Sequence, residues 1–123
     1  MSLSIPKLSE LQPYYNRKDL IEKVVKQIQK DFEWFNLDII FSNNSNISPY
    51  QELFQQILPL VDEMLNEDYP KLLSILYRID IDEEFINRKL KEISNADTDE
   101  VITDLIIKRE LQKVIIKEIY SLK

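Results

Sequence analysis

The sequence predicts an all-α fold: a compact bundle of about five helices in a single domain, with a long C-terminal helix. Apolar residues recur at three- and four-residue steps along most of the chain, as they do on the buried face of a helix. Helix-start signals precede several of these stretches, and no segment alternates apolar and polar residues over the length of a strand. With 123 residues, the chain has the size of one domain around one core.

The first predicted helix spans residues 18–35. Its apolar residues form one stripe, about 140° wide on a helical wheel, which is typical of a helix packed on a core. The stripe consists of Leu20, Ile21, Val24, Val25, Ile28, Phe32 and Phe35. Trp34 lies outside it and is either an exposed anchor for a partner or a residue packed under the following loop where the helix frays. Residues 1–17 are predicted to be an N-terminal arm with one short turn of helix.

Residues 36–47 are predicted to form an irregular connection with a polar tip. Because the chain has no Gly, a backbone position with left-handed φ must be filled by Asn or Asp, the next most tolerant residue types. Several Asn residues stand where a helix should end or a turn should lie. They are Asn36, Asn43, Asn44, Asn66 and Asn95.

The second predicted helix begins at Ser48, with Pro49 at its first position and Gln51 completing a capping box. It should extend to about Asn66. Pro59 interrupts the pattern on the side opposite the apolar face, so the carbonyl that it frees can be hydrated. The sequence therefore predicts either one bent helix or two shorter helices in this region.

Two shorter helices follow. Asp68 precedes an apolar stretch over residues 71–79, and a stretch this apolar around its circumference is typical of a buried helix. The acidic residues 80–84 supply caps and first-turn charges for a fourth helix, which ends near Ile93.

The last predicted helix follows a capping box at residues 97–100 and extends to about Ser121. Apolar residues cover well over half of its circumference, and Ile102, Ile106 and Tyr120 lie outside even that arc. Such a helix either runs through the middle of the domain or is partly covered by another chain. We favour the central position, because a bundle of about five helices needs a central element.

Three absent residue types exclude most catalytic and metal chemistry, since the chain contains no Gly, no Cys and no His. Phosphate-cradling loops need Gly where the backbone turns with positive φ. Common zinc, haem and iron–sulfur sites, and Ser–His or Cys–His catalysis, need His or Cys. We therefore predict no catalytic residues, no metal ligands, no cofactor and no small-molecule ligand.

The net charge of −6 is unevenly distributed along the chain. Residues 36–107 carry five basic and fifteen acidic groups, whereas residues 108–123 carry five basic and two acidic groups. An acidic middle disfavours nucleic acid as a partner, because such binding needs clustered cations. The basic last segment is the place where a nucleic-acid contact could lie, through Lys108, Arg109, Lys113 and Lys117. Cations near a helix C-terminus also simply complement the helix dipole.

Acidic clusters supply the alternative hypothesis, a Mg²⁺-dependent enzyme that acts on a phosphorylated small molecule. It would need at least three carboxylates from different helices to converge. Calcium loops do not fit: an EF-hand alignment that starts at Asp80 places Phe85 at the Gly position and Lys91 at the bidentate Glu position. Acids such as Glu83 and Glu84 are explained by their place in the first turn of a helix.

For function, the leading hypothesis is a non-enzymatic protein-interaction or structural domain that can form a homodimer. A protein partner or a second copy is expected, but no nucleic acid and no membrane. Large apolar and aromatic residues are frequent binding anchors. The candidate partner-binding residues are Tyr14, Tyr15, Trp34, Ile102, Ile106 and Tyr120. The start of the chain lacks the pattern of a secretory signal, so we expect a soluble protein in the cytoplasm.

Overall fold

The computed structural model describes residues 7–15, 17–42, 46–92 and 97–121, and it confirms the all-α prediction. Two short 3-10 turns, Leu8–Glu10 and Gln12–Tyr14, precede the α-helices. The helices of the described residues are α1 (Lys18–Glu33), α2 (Pro49–Glu67), α3 (Tyr69–Arg78), α4 (Glu83–Glu92) and α5 (Thr98–Ser121). In the part of the chain that the structure describes, there is no strand.

Helix α5 is the central element of the bundle. It packs against α1, α2, α4 and the turn Leu8–Glu10, so most of its apolar circumference is covered by the chain itself. Ile102 is 3% exposed and Ile106 is fully buried, so both belong to the core. The prediction that these two residues contact a partner is therefore corrected: a binding partner cannot reach them in this fold.

Helix α2 is continuous through Pro59, which lies exposed in its interior. Of the two alternatives for this region, the structure shows one helix rather than two. Its N-terminus has the predicted capping box: the Gln51 amide N–H donates to Ser48 Oγ (3.1 Å), and the Ser48 amide N–H donates to Gln51 Oε1 (3.3 Å). Each of these bonds satisfies a donor that the first turn of helix leaves without a backbone acceptor.

Asn36 and Asp80 supply left-handed turns in place of Gly, with φ of 61° and 65°. Each residue follows a helix, and its N–H forms one of the two backbone hydrogen bonds of a Schellman motif. After α1, the Asn36 N–H donates to the Glu33 carbonyl (2.9 Å); after α3, the Asp80 N–H donates to the Tyr77 carbonyl (3.1 Å). The prediction for Asn36 is thus confirmed.

The other predicted turn positions have different outcomes. Asn66 lies in the last turn of α2, as predicted for a residue near the end of this helix, and its side-chain amide donates to the Asp62 carbonyl (2.9 Å); its φ is not positive. The remaining three Asn residues, Asn43, Asn44 and Asn95, lie outside the described residues.

No helix of the described segments has both the length and the apolar character needed to cross a membrane.

Candidate functional site

The aromatic residues of the N-terminal arm pack onto the bundle. The Tyr15 ring stacks on the Tyr50 ring with 5.1 Å between centroids, and the Tyr50 hydroxyl donates a hydrogen bond to Asp104 of α5. Burial, together with the hydrogen bond to the Asp104 carboxylate, raises the pKa of Tyr50. Tyr14 is half-buried against the core. Tyr14 and Tyr15 therefore help to hold the arm in place.

Trp34 and Tyr120 are the predicted contact residues that remain well exposed, at 69% and 54%. They lie near opposite ends of the α1–α5 pair. The two helices are antiparallel, because Lys23 near the start of α1 pairs with Glu118 near the end of α5. The structure therefore does not bring the predicted residues together in one surface.

Arg78, the last residue of α3, connects Trp34 to the interior of the bundle. Its guanidinium carbon lies 4.7 Å from the centroid of the Trp34 ring, and its Nε donates to Asp31 Oδ1 (2.9 Å). Tyr77, the preceding residue, is 83% exposed. We call Trp34, Tyr77 and Arg78 the Trp34 surface. The arrangement fixes one aromatic side chain at the protein surface through a cation that is itself anchored to a buried acid.

Asp31 and Glu110 form a buried carboxyl pair beneath Arg78. They are 2% and 0% exposed. Within the described residues, no donor hydrogen-bonds either Glu110 oxygen, and Lys113 Nζ is 3.8 Å from Glu110 Oε1. The lowered pKa of Asp31 and the raised pKa of Glu110 favour a state in which Asp31 is ionised and Glu110 carries the proton shared between them. The pair thus holds one negative charge, which faces Arg78.

Burial is the main cause of the unequal ionisation. It raises the pKa of Glu110 to about 9, and the hydrogen bond to Asp31 and the charge of Asp31 act in the same direction. Burial also tends to raise the pKa of Asp31, but hydrogen bonds from Glu110, Gln27 and Arg78 outweigh it and lower that pKa below its usual value. The Gln27 amide lies 3.1 Å from Asp31 Oδ2.

A groove of about 270 Å³ lies between α1 and α5, beside the carboxyl pair. We call it the lysine groove. Its lining residues are Lys23, Lys26, Gln27, Lys30, Val114, Lys117 and Glu118. Lys117 Nζ donates to Gln27 Oε1 (3.1 Å), and Lys23 pairs with Glu118. Four ammonium groups against one carboxylate give this groove a positive potential in a chain whose net charge is −6.

A larger cleft, about 490 Å³, lies between the start of α4 and the middle of α5. Two of its four cations, Arg109 and Lys89, have acidic partners, Asp80 and Glu92. Arg109 donates to the Ile79 carbonyl (3.2 Å) and lies 3.7 Å from Asp80, and Lys89 lies over the Phe85 ring at 5.5 Å. With two Asp residues at its rim, this cleft has a weaker positive character than the lysine groove.

Acidic residues do not converge into a metal site in the segments that the structure describes: no group of three or more could hold an ion. The four basic residues of the predicted nucleic-acid alternative also separate. Lys108 pairs with Asp104 (2.8 Å) and Arg109 faces the larger cleft, whereas Lys113 lies beside Glu110 and Lys117 lines the lysine groove.

Asp31 and Glu110 were not among the predicted site residues, although the sequence contains a signal for both. Asp31 falls within the apolar stripe of the first helix, and Glu110 lies between Ile106 and Val114 at four-residue spacing. A charged residue within an apolar stripe indicates a buried partner, because an unpaired buried charge is strongly unfavourable. Which group is the partner depends on how the helices pack.

Comparison with known proteins gives no match: no family, no curated protein sequence and no solved structure is similar to this chain.

Proposed function

We propose that this protein is a non-enzymatic interaction domain and that a protein partner binds at the Trp34 surface. The observation that carries the proposal is the exposure of Trp34, 69%, in a position held by Arg78. Trp, Tyr and Arg are the residues most often found at the energetic centre of protein interfaces. Here Trp34 and Arg78 are in contact where α1 and α3 end, and the exposed Tyr77 precedes Arg78 in the chain.

The hydrogen bonds that hold Arg78 beneath the Trp34 surface favour binding, because they reduce the side-chain entropy that is lost when a partner binds. Arg78 is held by Asp31, which accepts a second hydrogen bond from Gln27. A side chain that is already ordered before association loses less entropy when the partner arrives. A partner that covers the exposed ring also removes apolar area from water, which is the usual driving force for association.

The partner can be a different protein or a second copy of this chain, which would give a homodimer. Sedimentation velocity over a wide range of concentrations separates the two. A dimer formed through the Trp34 surface should dissociate in the Trp34→Ala variant.

A capture experiment tests the proposal directly. Tagged wild-type protein, Trp34→Ala and Tyr77→Ala are expressed in the native cell and purified with their bound proteins. Tyr69→Ala is the matched control, because Tyr69 is an exposed aromatic at the other end of α3. We expect proteins that wild type and Tyr69→Ala retain and that both Trp34→Ala and Tyr77→Ala lose. Equal capture by all four, with no self-association, would contradict the proposal.

A cytoplasmic location is part of the same proposal, and the absence of Cys is compatible with a reducing compartment. Fractionation of native cells with an antibody to the chain tests it, since recovery with a membrane or secreted fraction would oppose it.

A further inference from the structure

We propose that the lysine groove binds an acidic segment of the partner, which lies along α1 and α5 and ends near Trp34. This inference rests on the proposed function and specifies the chemistry of the partner. The supporting observations are the charges of the groove, its apolar floor, and its position beside the Trp34 surface.

Two lysines of α1, Lys26 and Lys30, are available to a partner. Lys23, Lys26 and Lys30 follow one another at three- and four-residue steps and therefore lie on one face of the helix. Lys26 and Lys30 are exposed, and among the described residues neither has an ion-pair partner. Two ammonium groups without an intramolecular partner, in an acidic protein, favour association with a group of opposite charge.

The positive strip continues from the groove towards Trp34. Lys117 lines the groove, Lys113 lies one turn earlier on α5 beside Glu110, and Arg78 then contacts Asp31 and Trp34. The positions of the lysines and Arg78 define this strip, and a protonated Glu110 strengthens it, because an ionised Glu110 would cancel one of these cations. The buried pair contributes one negative charge rather than two.

The floor of the groove suits a polypeptide. Val114 and the lysine side chains line the groove, and the methylene stems of the lysines supply apolar contact area. From Lys23 to Trp34, α1 rises by about 16 Å at 1.5 Å per residue. About five residues of extended chain span this length. The expected ligand is therefore a short run of Asp and Glu with an apolar or aromatic residue near Trp34.

A peptide suits this surface better than nucleic acid does. The fifteen acidic groups of residues 36–107 would repel a polyphosphate that extends beyond the groove, whereas a short peptide ends within it. A second copy of the chain fits less well, because the exposed acids at the start of α4 lie on a different element from the groove. Self-association through such a contact is tested by the same concentration series in sedimentation velocity.

The test uses the full chain and a fluorescently labelled pentaglutamate peptide, with pentaglutamine as the matched peptide. Fluorescence anisotropy should show binding of pentaglutamate that weakens as salt is added, and at least tenfold weaker binding of pentaglutamine. Lys26→Glu combined with Lys30→Glu should weaken pentaglutamate binding about tenfold or more. The control combines Lys71→Glu with Lys91→Glu, which changes the net charge equally on α3 and α4 and should have a much smaller effect.

Three results would overturn the inference: equal binding of the two peptides, an equal loss in both double variants, or tighter binding of a ten-nucleotide single-stranded DNA than of pentaglutamate. Circular dichroism of each variant confirms that the fold is retained.

The peptide-binding experiment is independent of the capture experiment. Failure of the peptide test with selective capture through Trp34 would remove this inference alone, whereas peptide binding with equal capture by every variant would remove the proposed role of Trp34.

Discussion

Replacing Glu110 by Gln removes a buried carboxyl group that must take up a proton when the chain folds. The pKa of Glu110 is 4.5 in its reference state and rises to about 9 in the folded protein. At pH 7 the unfolded chain therefore has an ionised Glu110, and the folded protein has a protonated one. The Gln side chain can donate an N–H to Asp31 without taking up a proton.

The size of the expected stabilisation follows from the difference between the pKa of Glu110 in the unfolded chain and its pKa in the folded protein. Each pH unit above the unfolded pKa lowers the stability of the folded wild-type protein by about 1.4 kcal/mol, up to the folded pKa. From 4.5 to 7 this amounts to about 3 kcal/mol. Because Gln is a weaker donor than a carboxylic acid, we expect Glu110→Gln to increase the free energy of unfolding at pH 7 by about 1–3 kcal/mol.

The raised pKa of Glu110 determines the direction in which the stability of the protein changes with pH. The contribution of Glu110 to stability is complete below about pH 4.5 and is lost as the pH rises towards 9. Asp31 has the opposite behaviour: its pKa is lowered, so its contribution is present above its usual pKa and is lost on acidification. Measurements between pH 5.5 and 8.5 keep Asp31 charged and isolate the titration of Glu110.

The assay is urea denaturation followed by far-ultraviolet circular dichroism at pH 5.5, 7 and 8.5. The wild type should lose about 4 kcal/mol over this range, whereas Glu110→Gln should change little. Glu100→Gln is the control, because Glu100 is exposed in the first turn of the same helix, and its pH dependence should follow that of the wild type. Parallel curves for wild type and Glu110→Gln, or a variant that is less stable at every pH, would refute the reasoning.

Four further predictions concern stability and are measured by the same denaturation experiment at one pH. Ile106→Ala should cost about 2–5 kcal/mol, because Ile106 is fully buried at the centre of the bundle; a loss below 1 kcal/mol would oppose its place in the core. Pro59→Ala should stabilise the protein by about 1–2 kcal/mol by restoring the hydrogen bond to the Gln55 carbonyl, and a decrease would indicate that the packing of α2 depends on Pro59. Ser48→Ala should cost about 1 kcal/mol through loss of the cap, and an unchanged midpoint would contradict that role. Asn36→Ala should cost about 1 kcal/mol while Asn36→Gly is tolerated, because φ is 61° there; equal effects of the two would not fit.

The helices could be predicted because the residues that specify each helix lie within or next to that helix in the sequence. Spacing of apolar residues gave each element, and the start of α2 followed from Ser48, Pro49 and Gln51 alone. The left-handed turn at Asn36 followed from the absence of Gly. Asn66 did not form such a turn, because α2 continues for one more residue and α3 begins after Asp68.

The candidate site was only partly predictable because it depends on contacts between distant segments. Trp34 stood out as a residue beyond the apolar stripe, but its stacking on Arg78 requires α3 to end beside α1. The surplus apolar residues of α5 suggested a partner surface, and the bundle covers Ile102 and Ile106 instead. The lysine groove likewise forms only when Lys117 of α5 lies beside the lysines of α1.

The most direct test of the account is an NMR titration of uniformly ¹⁵N-labelled protein with the pentaglutamate peptide. The chain has a single Trp, so the indole N–H of Trp34 gives one identifiable resonance. We expect that resonance to shift together with the amides of α1 from Lys23 onwards and of α5 around Lys117. Shifts centred on the cleft at the start of α4, or no shift of the Trp34 indole and the α1 amides at saturating peptide, would contradict the account.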